Sequence, residues 1–381
     1  MSPGGKLNLG YATAMRAALF AVALLLTGAT AQTGPDQLLK AAVEAQMHGD
    51  FPAAIRDYRK LLELQPDMLE AKVNLAAALV HVGQFDEAIS LYRSVLPTIP
   101  EKNAVQLNLA LAYFKKGDFE NARQVLEPMH QAQPKRVQIA ILLAAAQVEL
   151  GKPDAAVAVL QPLEQPNPKN LDLKYALGTA LIKTGRPREG VSRVEEVAQS
   201  GHSADAYLLA GQTLLDLNEF EKARRDLDTA LSLDPKLPGI QTLAGKARDK
   251  TGDKPAAEAA FRDALRINPE DFEANLYLGA ILEERRELDE AKTYLDRALK
   301  LRPADSMARY ESAMLDSMMG RYETAVLALE TLTKDDPKWL EPHVQLAALY
   351  YKMHRSEDGA RERQVVDRLT AEQQTKGPGK E

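Results

Sequence analysis

Pro66, Pro100, Pro134 and Pro168 each follow the last by 34 residues, and Pro235, Pro269, Pro303 and Pro337 repeat the same step. The gap between the two series is 67 residues, one full period plus a period one residue short. Gly201 and His202 stand where the missing proline would be. A fixed period of this length restricts the fold more than any composition can. Each period is one supersecondary unit that cannot bury its apolar face alone, so neighbouring units must stack. The units run 35–68, 69–102, 103–136, 137–170, 171–203, 204–237, 238–271, 272–305, 306–339 and 340–373.

Position 8 of the unit is Ala42, Ala76, Ala110, Ala144, Gly178, Gly211, Gly245, Gly279, Ala313 and Ala347. Position 20 is Ala54, Ala88, Ala122, Ala156, Gly190, Ala223, Ala257, Ala291, Ala325 and Gly359. Position 7 is mostly Leu, and position 24 is a larger apolar residue such as Tyr58, Tyr92 or Phe261. Positions 7, 8 and 11 share one face of a first helix, and 20, 24 and 27 one face of a second. Small residues at 8 and 20 let the two backbones approach, and position 24 fills the space beside them. Glycine at position 15 (Gly49, Gly83, Gly117, Gly151, Gly185, Gly252, Gly320) suits the left-handed end of the first helix. Proline at 32 stops the second helix, because it lacks an N–H and restricts the residue before it. The expected fold is all-α, a solenoid of stacked antiparallel helix hairpins.

This pattern resembles the tetratricopeptide repeat family over nearly the whole chain after residue 31. The resemblance implies ten repeats, a right-handed superhelix, no appended catalytic domain and no cofactor. Three departures stand out: the tryptophan usual near position 4 is absent, repeat 5 is one residue short, and repeat 10 has Ala371 for its proline.

Residues 1–31 read as a secretory signal. Arg16 precedes an apolar run from Ala17 to Leu26, followed by the small-x-small triplet Ala29-Thr30-Ala31. Met15 beside Arg16 is a candidate true start. The run is short for a permanent membrane span, so membrane contact is expected only if the segment stays uncleaved. Export to the periplasm, the cell envelope or the medium follows. The net charge of −6 becomes −8 without Lys6 and Arg16. An acidic chain with interspersed signs repels phosphate backbones, so no nucleic-acid partner is expected. The absence of cysteine excludes disulfides, thiolate metal sites and cysteine catalysis. The polar stretch 374–381 is expected to be disordered.

No nucleophile elbow, phosphate-binding loop or metal-spaced histidine pair on one helix occurs. His48 and His81 end adjacent first helices and could approach each other; exposed helix ends are the plainer reading. Neither a catalytic site nor a resident metal is expected.

The family resemblance implies a concave face lined by first-helix positions 2, 5, 6, 9, 12 and 13. Position 5 supplies Leu39, Val73, Leu107, Ile141 and Tyr175; position 9 supplies Ala77 and Leu111; position 12 supplies Phe114. Asn74 and Asn108 repeat at position 6, where amides can pair with a peptide backbone. This apolar row is either an open groove for a protein or peptide, or is buried between neighbouring first helices. In repeats 7 and 8 the row turns polar, with Thr242, Lys246, Asp249, Lys250, Glu283 and Glu284. Repeat 9 presents Met307, Met314 and Met318, adaptable thioethers suited to partner contact or core packing. They would suit copper(I) too, but no Met-x-Met run accompanies them. The function expected is a non-catalytic scaffold or adaptor for protein partners. A chaperone-like carrier of an apolar peptide or unfolded client is the alternative, and an enzyme with an unadvertised site is a remote one.

Overall fold

The computed structural model describes residues 34–376; the expected signal segment and the end of the expected tail lie outside them. Among the described residues the chain forms twenty helices and no strand, and most of the helices fall in successive pairs. The pairs are α1 (Gly34–Met47) with α2 (Phe51–Leu64), α3 (Leu69–His81) with α4 (Phe85–Val95), and α5 (Asn103–Lys116) with α6 (Phe119–Ala132). Next come α7 (Val137–Glu149) with α8 (Pro153–Glu164) and α9 (Leu171–Lys183) with α10 (Pro187–Gly201), then α11 (Ala204–Asp216) and α12 (Phe220–Leu233) in sequence. The rest are α13 (Ile240–Lys250) with α14 (Lys254–Ile267), α15 (Phe272–Glu284) with α16 (Leu288–Leu301), α17 (Ser306–Met318) with α18 (Tyr322–Asp335), and α19 (Leu340–Lys352) with α20 (Ser356–Lys376).

The helices group into two compact units that divide between Leu217 and Asn218, inside repeat 6. In the first unit, α1 to α10 form hairpins, each helix packs on the next, and α11 closes on α10. In the second unit, α12 packs on α13 and the hairpins α13/α14 to α19/α20 follow. First helices of adjacent repeats also touch within each unit, as α7 does α9 and α15 does α17. Two apolar layers therefore share each core. One forms inside a hairpin, as with Ala76, Ala88 and Tyr92, all fully buried. The other forms between hairpins.

The turns explain the sequence punctuation. All seven glycines at position 15 have φ between 70° and 85°. The other three repeats place Asn218, Arg286 and His354 there, at φ 58°, 62° and 59°. The left-handed residue is thus a property of the hairpin, met by a side chain where glycine is missing. The residue before the repeat proline leaves the helical region, with ψ between 63° and 92° at Gln65, Gln133, Arg302 and Asp336, because a following proline disfavours that region. Next, Asn170, Asp271 and Asp305 cap the following first helices, each accepting a backbone N–H through its side chain.

Repeat 5 solves its missing residue differently. Helix α10 runs on to Gly201, and His202 takes a left-handed cap at φ 47°, its N–H bonding the Ala198 carbonyl. Ser203 then caps α11 by accepting the Ala206 N–H at 3.3 Å. At the other end, α20 continues to Lys376, so the stretch from 374 expected to be disordered begins in helix. Arg363–Asp367 and Arg368–Glu372 pair one turn apart along it.

In repeat 5 positions 8 and 20 are both glycine, and the two helix backbones meet there. A Cβ on Gly190 would sit 2.5 Å from the Gly178 carbonyl oxygen and 2.9 Å from the Ile182 nitrogen. Backbone atoms cannot rotate away as a side chain can. Gly190→Ala should therefore lower stability by about 1–3 kcal/mol through overpacking. Arg286→Gly should raise it by about 1 kcal/mol by relieving a left-handed non-glycine residue. Both are read as shifts of the urea midpoint.

Candidate functional site

The apolar row expected on the first helices is largely internal. Ala77, Leu107, Leu111, Phe114, Ile141 and Tyr175 are all buried, Phe114 to 2% exposure. Phe114 also meets Phe119 edge-on at 5.1 Å. Because first helices pack on first helices, one stripe serves repeat stacking and cannot also be an open strip. Of the two readings left open by the pattern, burial is what these six residues adopt. Leu39 and Val73 are half-buried.

The two asparagines follow the same logic. Asn74 and Asn108 are buried at 3% and 7% exposure. Asn74 hydrogen-bonds the Tyr58 hydroxyl, which itself donates to Gln46 Oε1 at 2.9 Å. Burial first, then the nearby Glu70 charge, push the Tyr58 hydroxyl well above its ordinary range. Asn74 therefore satisfies a buried hydroxyl in this structure.

An accessible feature remains at the amino-terminal ends of α3 and α5. Leu69, Val73, Ile99, Pro100, Ala104 and Val105 line a hollow of about 350 Å³, with Asn74, Glu70 and Glu101 as its polar members. Val73 and Asn74 are brought together here, and Ala104 stands exposed at the rim. Burial raises the Glu70 carboxyl above its usual range. A smaller hollow of about 160 Å³ lies between α9 and α11, where Tyr175 meets Ile182, Leu208 and Gln212.

In the second unit the polar part of the row is mostly paired internally. Thr242 donates to Asp271 at 2.7 Å, and Lys246 to Glu273 at 3.0 Å. Lys254 bridges Asp249 at 2.9 Å and Glu284 at 3.0 Å. Glu283 differs. It is 7% exposed, and its Oε2 is covered and meets no hydrogen-bond partner. Burial, then Glu311 and Glu284, push its carboxyl up to about 8. Glu311 is raised as well, by burial and then Glu284.

A tetratricopeptide repeat model matches residues 45–112 and 113–170, and a second model of the same description matches 175–238 and 242–306. The chain belongs to the tetratricopeptide repeat family. It is 26% identical over 150 residues to anaphase-promoting complex subunit 3 of Schizosaccharomyces pombe, covering 39% of this chain and 23% of that protein. It is 27% identical over 125 residues to the Hsp70-Hsp90 organizing protein of Triticum aestivum, covering 33% and 22%. The chain thus spans under a quarter of the length of these curated relatives. Among solved structures, PilF of Pseudomonas aeruginosa is 19% identical, with a TM-score of 0.49, covering 56% of this chain and 97% of that one.

The tetratricopeptide frame scatters the remaining candidates. On α17, Met307 is 47% exposed while Met314 and Met318 are half-buried, one helix face apart by whole turns. His48 Nδ1 lies 2.7 Å from the Glu44 carbonyl, whereas the His81 ring stacks on Phe51 at 4.1 Å. The two rings are thus each engaged elsewhere. Glu311, at position 6 of repeat 9, was not singled out by the sequence pattern. Its signal was an acid in the column where Asn74 and Asn108 stand.

Glu283 carries a signed consequence for stability. A carboxyl raised in the folded state holds its proton while the unfolded one, near 4.5, loses it. Stability then falls as pH rises from about 4.5 towards 8. Glu283→Gln should flatten this decline, so that its melting temperature exceeds the wild type by several degrees at pH 8.5 and by less at pH 5.5.

Proposed function

We propose that the chain is a non-catalytic scaffold or adaptor that holds partner proteins in one assembly. The observation that carries this reading is the hollow between α3 and α5. Its walls are apolar, its amide is fixed, and it stays open where the rest of the apolar row is consumed by stacking. The two curated relatives support it by name, one a subunit of a complex and the other an organizing protein. Repeat folds host many functions, so the site and not the fold selects the partner.

The test places a charge at the rim without entering the core. Ala104→Glu and wild type serve as baits for proteins from the native cell envelope, with partners identified by mass spectrometry. Loss of one or more partners with an unchanged melting curve is expected. Identical partner sets would remove the hollow from the reading, and an empty wild-type bait would remove the scaffold.

The same proposal puts the work outside the cytoplasm. Its support is the sequence of Arg16, the apolar run to Leu26 and Ala29-Thr30-Ala31. Cleavage after Ala31 predicts a mature chain that begins at Gln32. Amino-terminal sequencing of the protein from its native cells checks this, and an intact start at Met1 or Met15 would count against it.

A further inference from the structure

We propose that the carboxylates around Glu283 form a receptor for an arginine side chain of a partner protein, bound by repeats 7 to 9. The inference rests on the scaffold reading and names the chemistry of one contact. Glu283 lies in the last turn of α15 inside the second unit, with one carboxylate oxygen covered and unpartnered. A buried polar oxygen without a donor is a cost that native proteins normally avoid. Two further acids bear on it, the exposed Glu284 and the half-buried Glu311.

Three of the nearby cations are already committed to other acids. Lys254 is held by Asp249 and Glu284, Lys246 by Glu273, and Arg285 by Glu258 and Glu287. Lys254 thus pairs with Asp249 and Glu284, its charge also bears on Glu311, and it does not reach the covered oxygen of Glu283. Among the described residues, no three acids or histidines converge in a metal-holding group. The acids are spread over α13, α15 and α17. A guanidinium suits this layout, since its five N–H donors fan out in a plane and its charge stays fixed. It would enter past Glu284 and Glu311 and supply the donor that Glu283 lacks.

Proton linkage makes the receptor testable. The groups that face Glu283 or its acids are Asp249 on α13, Lys254 on α14, Glu284 on α15, Tyr310 and Glu311 on α17, and Glu341 on α19 through Tyr310. A cation seated among them favours the ionised Glu283, so binding below pH 8 must release its proton. The probe is the peptide acetyl-Leu-Ala-Arg-Ala-Leu-amide, with citrulline as the neutral isostere of arginine in the control peptide. Both are titrated calorimetrically into the full chain at several pH values, in buffers of different ionisation heat.

The arginine peptide should bind at least about tenfold more tightly, release about one proton at pH 7, and gain up to about tenfold in affinity per pH unit below 8. Glu283→Gln should abolish the proton release and the pH dependence. Glu284→Gln, at an exposed position, should weaken binding but keep the proton release. Equal affinity for the two peptides, no binding of either at about 10 mM, or unchanged proton release in Glu283→Gln would each overturn the receptor. Failure there, with partners still recovered by the envelope bait, leaves the scaffold standing. An arginine preference with an empty bait would keep the receptor and sink the scaffold.

Discussion

Everything in this chain depends on one constraint: a two-helix hairpin has more apolar surface than it can bury alone. Stacking supplies the missing partner, and its strength falls on nearest neighbours. The small residues at positions 8 and 20 make each hairpin thin enough to stack, and position 24 fills what they leave. The same constraint decides which apolar surface stays accessible. Side chains in the middle of the first helices, such as Leu111 and Phe114, are used up between repeats. At the edge of that interface, the hollow beside Val73 keeps apolar surface in reach of solvent.

Electrostatics adds a second layer on the same scaffold. Most polar side chains that replace the apolar row in the second unit are matched within one or two repeats, as Thr242 is by Asp271. Matching of that kind costs little and leaves the surface quiet. Glu283 breaks the pattern, because burial and two neighbouring acids act on it in the same direction. In the receptor proposed there, a seated arginine would tie partner binding to proton release.

Much of the architecture was legible in the sequence because its determinants repeat. Ten small residues in one column cannot be mistaken, and the proline step places the helix ends. What was not legible has physical causes. Burial and exposure of the concave row give the same apolar pattern, so Leu107 and Ile141 could not be assigned from residue type. The left-handed turns of Asn218, Arg286 and His354 were hidden because no glycine marks them. Glu311 was missed because a single acid on a helix is normally solvated, and only the neighbouring Glu283 and Glu284 give it meaning. The continuation of α20 was hidden by a polar composition that suits both a helix and a disordered tail.

The paired glycines of repeat 5 also shape what this sequence can become. A Cβ on either residue is blocked by the other helix: Gly190 by the Gly178 carbonyl, and Gly178 by the Gly190 carbonyl at 2.9 Å and Val194 at 2.7 Å. Alanine fills most of these positions in the other repeats, yet here neither glycine can become alanine alone without parting α9 and α10. The path back to the common repeat must pass through a less stable intermediate or change several positions together. Repeat 5, already one residue short, is thereby held apart from its neighbours, and drift that blurs the other repeats into one another is barred from this one.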